Sequence, residues 1–262
     1  MKTKSIFLLS ALMLSVSMFG QTFAIAVYED CDKNGAIKSS TGGIAEGHEY
    51  VDLGLSVYWA TTNIGTNIPE EPGDYYPWGA TSIPSLYSWR YYVHGYEDYN
   101  NKNWVRKYCT IESQKYYGMS ELDNLTQLLD VDDAAHVLWG GDWHIPTSAQ
   151  ARELVDSCKW EYTSLNGVWG YRITSKVTGY TNNSIFLPST GYMAINTYTN
   201  NSNTLTSASN SGYYWLSELN SPSTTSFSAY SLRFYSDSSH GVSSLNMRSY
   251  GCPIRPVMSK GL

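Results

Sequence analysis

Charge is what this chain has least of: 15% of its 262 residues are charged, against 42% hydrophobic and 15% aromatic. That balance excludes intrinsic disorder, which goes with few rings and high charge. The little charge there is leans acidic, at net −6, so nothing would draw the chain to a phosphate backbone and a nucleic-acid partner is excluded. After the first 26 residues no apolar run is long enough to span a bilayer. Four cysteines occur, Cys31, Cys109, Cys158 and Cys252; no two are close in sequence, which rules out a zinc pattern. An oxidising compartment would allow three pairings, but Cys158 sits on the apolar face of a helix and reads equally well as a buried thiol. No bridge is assigned. No fixed-period repeat is visible, against solenoids and propellers.

Catalytic signatures are missing as well. There is no Gly-x-Ser-x-Gly elbow, and His48-Glu49 lacks the second histidine of a zinc helix. His144 reads as a packing residue ahead of a helix cap, Asp132-Asp133 as a cap rather than a metal site, and Trp139, Trp143 and Trp215 as core. The chain is therefore read as no enzyme, with no cofactor and no metal.

What is present begins at the N-terminus. Lys2 and Lys4 precede an apolar run from Ile6 to Phe19, and small residues follow at Ala24 and Ala26. That order is a secretory signal peptide over residues 1–26, cut after Ala24 or Ala26. Cys31, behind Tyr28-Glu29-Asp30, lacks a lipobox. Without Lys2 and Lys4 the net charge becomes −8, on about 236 residues, enough for one large domain. The expected location is exported: periplasmic, outer surface or secreted.

Residues 27–47, with Lys38-Ser-Ser-Thr-Gly-Gly43, read as a linker before a domain at 48–262. Tyr50 to Ala60 alternates as a hairpin turning near Gly54. The stretch from Asn63 to Trp104 shows no helical period and reads as long irregular structure or short strands, held by aromatics such as Trp78 and Trp89. Two helices are legible. Asp132 or Asp133 caps one through Ala134, Ala135, Val137 and Leu138, stopped by Gly140-Gly141. Thr147 and Gln150 form a capping box for a second, 148–158, with Ala151, Leu154, Val155 and Cys158 at helical spacing. Strands are expected at 171–175, 184–187, 213–216, 229–235 and 252–257, with a Thr/Asn/Ser-rich loop between Ser189 and Ser211. Tyr230, Leu232 and Phe234 should face a core, and Ser231, Arg233 and Tyr235 should face outward. Helices early and strands late favour an α+β fold.

Seven phrases occur in order: Tyr50-Val-Asp-Leu-Gly-Leu-Ser-Val-Tyr-Trp-Ala60, Gly73-Asp-Tyr-Tyr-Pro-Trp-Gly79, Asp133-Ala-Ala-His-Val-Leu-Trp-Gly-Gly-Asp-Trp-His-Ile-Pro-Thr147, Asn166-Gly-Val-Trp-Gly-Tyr171, Ser184-Ile-Phe-Leu-Pro188, Tyr214-Trp-Leu-Ser217 and Arg248-Ser-Tyr-Gly-Cys-Pro-Ile-Arg-Pro-Val257. Together, over roughly 48–257, they resemble the exported paralogous family of gut Bacteroidetes called the Fibrobacter succinogenes major paralogous domain. The resemblance implies a C-type-lectin-like fold, with two short helices framing a small twisted antiparallel sheet and long loops carrying the binding face. Thr62 stands where such members carry a cysteine, so a disulfide built on it is absent here. Leu216 stands where many carry serine, which places an apolar side chain near the implied ligand face.

Sugar-binding members of that fold hold Ca²⁺ with a Glu-Pro-Asn or Gln-Pro-Asp triplet and a later Trp-Asn-Asp. Neither occurs here, and Glu71-Pro72-Gly73 lacks the third ligand. Formylglycine generation needs a reactive cysteine pair, and Cys252 has no near neighbour. The informative stretch is 207–249, which holds 15 serines. Tyr213, Tyr214, Arg233, Tyr235 and Tyr250, in or just beyond it, are the candidate ligand-binding residues, since Tyr supplies area and Ser adaptable hydrogen bonds. The expectation is an adhesive or ligand-binding surface module for a protein or glycan. The alternatives are a structural or fimbria-associated component and a retroelement-diversified receptor.

Overall fold

A computed structural model describes residues 12–18, 21–27, 42–110, 122–199, 201–219 and 227–261, with 12–18, 21–27 and 244–246 described by backbone alone. The chain divides into two units, residues 1–41 and 42–262. In the first, β1 (Leu12–Met18) pairs antiparallel with β2 (Gln21–Val27). Lys2, Lys4, Cys31 and linker positions 28–41 lie outside the described residues.

The second unit opens with β3 (Gly42–Ala45), β4 (His48–Val51), β5 (Val57–Ala60), β6 (Gly95–Glu97), β7 (Asn103–Val105) and β8 (Trp143–His144). Around β8 lie α1 (Ala134–Trp139) and α2 (Ser148–Ser157). Then come β9 (Cys158–Leu165), β10 (Val168–Ser175), β11 (Ser184–Pro188), β12 (Tyr192–Ile195) and β13 (Asn203–Thr206). The chain ends through β14 (Ser211–Leu219), β15 (Ser228–Tyr235), β16 (His240–Met247) and β17 (Val257–Ser259). These strands form five sheets in this unit: β3-β4-β5-β17-β8, β6-β7, β11-β10-β9, β12-β13 and β14-β15-β16.

This architecture corrects the α+β, C-type-lectin-like expectation. The chain is 40% strand and 11% helix, and among the described residues its two α-helices are six and ten residues long. Among described residues α1 buries only Ala134, Ala135 and Trp139, and α2 only Ser148, Ala151 and Leu154. The helical signals were real but local. Asp133 Oδ1 accepts from the Ala135 and His136 amides at 2.9 and 3.2 Å, which settles the cap on Asp133 rather than Asp132, and the helix stops at Gly140 (φ 78°). The Thr147/Gln150 capping box forms in full, Thr147 N donating to Gln150 Oε1 at 2.7 Å and Gln150 N to Thr147 Oγ1 at 3.2 Å. Cys158 ends that helix and opens β9, buried as a free thiol like Cys109; burial pushes both pKa values up to about 11.

Other boundaries shift too. Positions 42–45 of the expected linker are strand β3, paired to β4. Of the two readings of 63–104, short strands hold at β6, while the polar 189–211 loop contains the β12–β13 hairpin. Residues 252–257 are not a strand: apart from a bridge between Cys252 and Tyr76, only Val257 joins a sheet. Pro253 and Pro256 lack the N–H that a ladder needs.

The described core has three clusters: a small one of Trp89, Tyr92, Val105, Cys109 and Phe227, and two larger ones on either side of β14. Tyr213, Trp215 and Leu219 point into one of the larger two, with Trp78, Trp143 and Ile254. Tyr214 and Leu216 point into the other, with Trp59, Leu154, Tyr171, Leu232 and Phe234. Period-2 alternation sends neighbouring side chains to opposite faces, and both faces of β14 are covered, so the strand reads as a continuous apolar run rather than an alternating one. Leu216 is therefore core, not an apolar spot on a ligand face. Two of the buried indoles carry their N–H groups to carbonyls, Trp78 to Leu216 O at 2.8 Å and Trp143 to Ala45 O at 3.1 Å, as most buried polar atoms do.

A buried arginine ties distant segments together. Arg255, 1% exposed, donates from Nε to Asn63 Oδ1 at 2.7 Å and from Nη1 to Ala60 O at 3.2 Å. Burial lowers its pKa to about 10. The last of the seven phrases is thereby fastened to the end of the first hairpin.

Candidate functional site

The antiparallel register of β14, β15 and β16 places Arg233 opposite Tyr213 on one side and Gly241 on the other, with Tyr235 opposite Ser211. Arg233, Tyr235 and Tyr213 therefore rise from the same face of the sheet. Gly212 lies between them in sequence and pairs with Phe234; any Cβ there would collide with the Phe234 ring, which packs over it on the opposite face. The guanidinium sits 4.7 Å from the Tyr213 ring centre and 5.4 Å from that of Tyr235. Its Nη2 donates to the Tyr235 hydroxyl and, at 3.4 Å, to the Tyr213 hydroxyl, while Nη1 donates to Ser243 Oγ at 3.0 Å.

A second element brings two more tyrosines. Gly191 N donates to Ser211 O at 2.8 Å, and Met193 and Gly251 exchange backbone bonds at 2.7 and 2.8 Å. These bridges hold β12 against β14 and against the 250–252 segment. Gly191 is at φ 59°, and a Cβ there would collide with Thr206 O, so the turn feeding Tyr192 into the site requires glycine. Tyr192 stacks on Tyr250 (5.1 Å, 14°) and meets Tyr213 edge-on at 5.0 Å. The result is a continuous row, Tyr250, Tyr192, Tyr213, Arg233 and Tyr235. At the Arg233 end it opens into a shallow cavity of about 230 Å³, lined by Arg233, Tyr235 and residues 239–243.

Of the five expected site residues, Tyr213, Arg233, Tyr235 and Tyr250 come together in this row. Tyr214 does not. It is 1% exposed, its ring lies in the second core beside Phe234, and its hydroxyl donates to Pro188 O at 2.8 Å. Ser231, expected to face outward, is fully buried. Tyr230 is half-buried at the edge of the second core rather than within it. Tyr192, Ser239, His240 and Ser243 escaped sequence reasoning. Tyr192 opens a four-residue strand inside a loop-like composition, and only its Gly191-Tyr192 step, following a proline, hinted at a turn into a strand.

Burial raises the pKa of Tyr192 and Tyr250. For Tyr213 burial also pushes upward, but the bonds from Tyr235 and Arg233 outweigh it and the phenol ends lower than usual. The row thus presents phenol donors around one fixed cation. Arg233 offers five N–H donors; three are met, all by hydroxyl oxygens, and the buried Nε–H has no partner. Among the described residues it forms no ion pair.

A second polar cluster is structural in character. Asp132 bonds Lys107 and the Tyr108 hydroxyl and lies 3.6 Å from His94 Nε2. Close by, the fully buried Arg248 packs over Trp78, Trp89 and Tyr92. Among the described residues no group of three or more His, Cys, Asp or Glu side chains could hold a metal, and no helix is long and apolar enough to cross a membrane. Set against family models, curated proteins and solved structures, the chain matches none. The resemblance carried by the seven phrases rests on those residues themselves.

Proposed function

We propose that this chain is an exported, non-catalytic ligand-binding or adhesive module whose binding face is the row formed by Tyr250, Tyr192, Tyr213, Arg233 and Tyr235. One observation carries the reading: two phenols, Tyr213 and Tyr235, flank a single arginine beside an open cavity, and Tyr192 and Tyr250 extend that row from Tyr213. Tyrosine and arginine are the side chains that dominate binding hot spots, and a serine-rich surround adds adaptable hydrogen bonding. Export is supported by the charge, apolar run and small residues of positions 1–26. The test is a glycan and host-protein array probed with the wild-type protein and with Tyr235→Ala. A ligand held by the wild type and lost by a folded Tyr235→Ala supports the proposal. Full retention by Tyr235→Ala and Arg233→Ala alike removes this face from consideration and moves a structural, assembly-component role ahead.

A further inference from the structure

The cation at the centre of the row is under-used. Arg233 is half-buried, yet its bonds go to Ser243, Tyr213 and Tyr235, three neutral hydroxyls, and its buried Nε–H has no partner among the described residues. A partly buried guanidinium normally has a carboxylate opposite its planar fork, because two parallel charge-assisted bonds repay its desolvation. Here that counter-charge is missing among the described residues. The arrangement is complementary to a carboxylate arriving from outside.

The walls narrow the choice of carrier. Around Arg233 and Tyr235 they are Ser239, His240, Gly241, Val242 and Ser243, a shallow and mixed lining rather than a deep apolar socket for an aliphatic side chain. On the other side of Tyr213 from these walls, the stacked Tyr192–Tyr250 pair supplies aromatic ring area edged with hydroxyls. Ring faces next to many hydroxyl partners suit a pyranose, which has apolar C–H faces and a polar rim. The chain's net charge of −6 gives no general attraction to a long polyanion, so recognition has to be of one carboxylate at one guanidinium. We propose that this face binds an acidic saccharide, with Arg233 receiving the sugar carboxylate and the Tyr192–Tyr250 pair meeting the adjoining ring. The inference rests on the reading of this face as a ligand-binding surface, and supplies its ligand class.

The experiment is calorimetric titration of the folded protein with trigalacturonic acid, its methyl ester, acetate and triglutamate. The expected result is saturable binding of the acid trisaccharide, weakened about ten- to a hundredfold when the carboxylates are esterified, the worth of a charge-assisted hydrogen bond. Arg233→Gln should lose about as much, and Arg233→Lys should fall well short of wild type because an ammonium lacks the fork. The ester comparison uses only the wild-type protein and stands whether or not these variants fold. Equal binding of acid and ester, or no binding of the acid trisaccharide, overturns the proposal. Acetate competing at the same concentration would show a simple anion site, and tighter binding of triglutamate would show an acidic-peptide site; either overturns it too. A neutral array ligand lost in Tyr235→Ala would sink the acidic-saccharide inference while leaving the binding-face reading intact.

Discussion

Asp133 is the residue whose removal has the most clearly itemised cost. It is 5% exposed and holds two unrelated pieces of backbone. Oδ1 caps α1 through the Ala135 and His136 amides, and Oδ2 accepts from Ile145 N at 2.8 Å, fixing the turn between β8 and α2. Losing an N-cap side chain to alanine costs ~1 kcal/mol, up to ~2. The orphaned amide of Ile145, itself 1% exposed, adds ~1–3 kcal/mol for a buried donor without an acceptor. Asp133→Ala should therefore destabilise the protein by ~2–5 kcal/mol. Asp133→Asn separates the two contributions, since the amide oxygen can keep the cap while its NH₂ faces the Ile145 N–H. That variant should cost only the second part, ~1–3 kcal/mol. Urea unfolding followed by tryptophan fluorescence reads both, provided the m-value is unchanged. A loss below ~1 kcal/mol for Asp133→Ala would refute the reasoning, as would a wild-type midpoint for Asp133→Asn.

Leu232, 1% exposed in the second core, should cost ~2–5 kcal/mol as Leu232→Ala through the cavity left behind, whereas Tyr235→Ala at the rim should shift the urea midpoint far less; the reverse order would misplace the sheet. His94 is held below its ordinary pKa of 6.5 by burial, which outweighs the nearby Asp132. The unfolded chain therefore binds the extra proton first as pH falls through ~6.5, and this residue's share of stability should drop from there down to the depressed native pKa; a urea midpoint no lower at pH 5 than at pH 7, or unaltered pH dependence in His94→Gln, would contradict it. Chelator should leave the thermal midpoint in place, and a fall of more than ~4 °C with EDTA, on the order of 1 kcal/mol for a domain this size, would reveal a metal site. Mass spectrometry of the exported protein should find Ile25 or Val27 at the N-terminus, and a start at Met1 would rule out cleavage there.

What could be read from the sequence was whatever is decided within a few residues. The capping box at Thr147 and Gln150 is a contact three positions long, and α2 begins where that pattern put it. The Asp133 cap and the Gly140 stop are of the same kind. The β15 alternation placed Leu232, Phe234, Arg233 and Tyr235 correctly, because one residue of register moves every side chain to the other face. The failures are non-local. β16 carries Ser243 and Ser244 and shows no apolar alternation; it is a strand because β15 offers it a ladder. Nothing local marks Arg255 as buried, because its partner Asn63 lies 192 residues away in sequence. The α+β expectation arose because two well-capped helices are easier to read than many three- to five-residue strands, which carry too few residues to show a period.

Tyr213 and Tyr214 make the same point where it bears on function. As adjacent tyrosines in a serine-rich stretch they were indistinguishable, and both were assigned to the binding face. A strand covered on both sides separates them. Tyr213 shares its face with Arg233 and Tyr192, and its hydroxyl receives the arginine. Tyr214 goes to the opposite core, where its hydroxyl is consumed by Pro188 O and burial drives its pKa far above the ordinary phenol value. The row of aromatics therefore cannot extend along β14 by sequence neighbours. It extends across strands, from β15 through β14 to β12, and that is why it needs Gly191 to bring Tyr192 alongside. A ligand lying on this face would run across the strands rather than along them, reading one side chain from each.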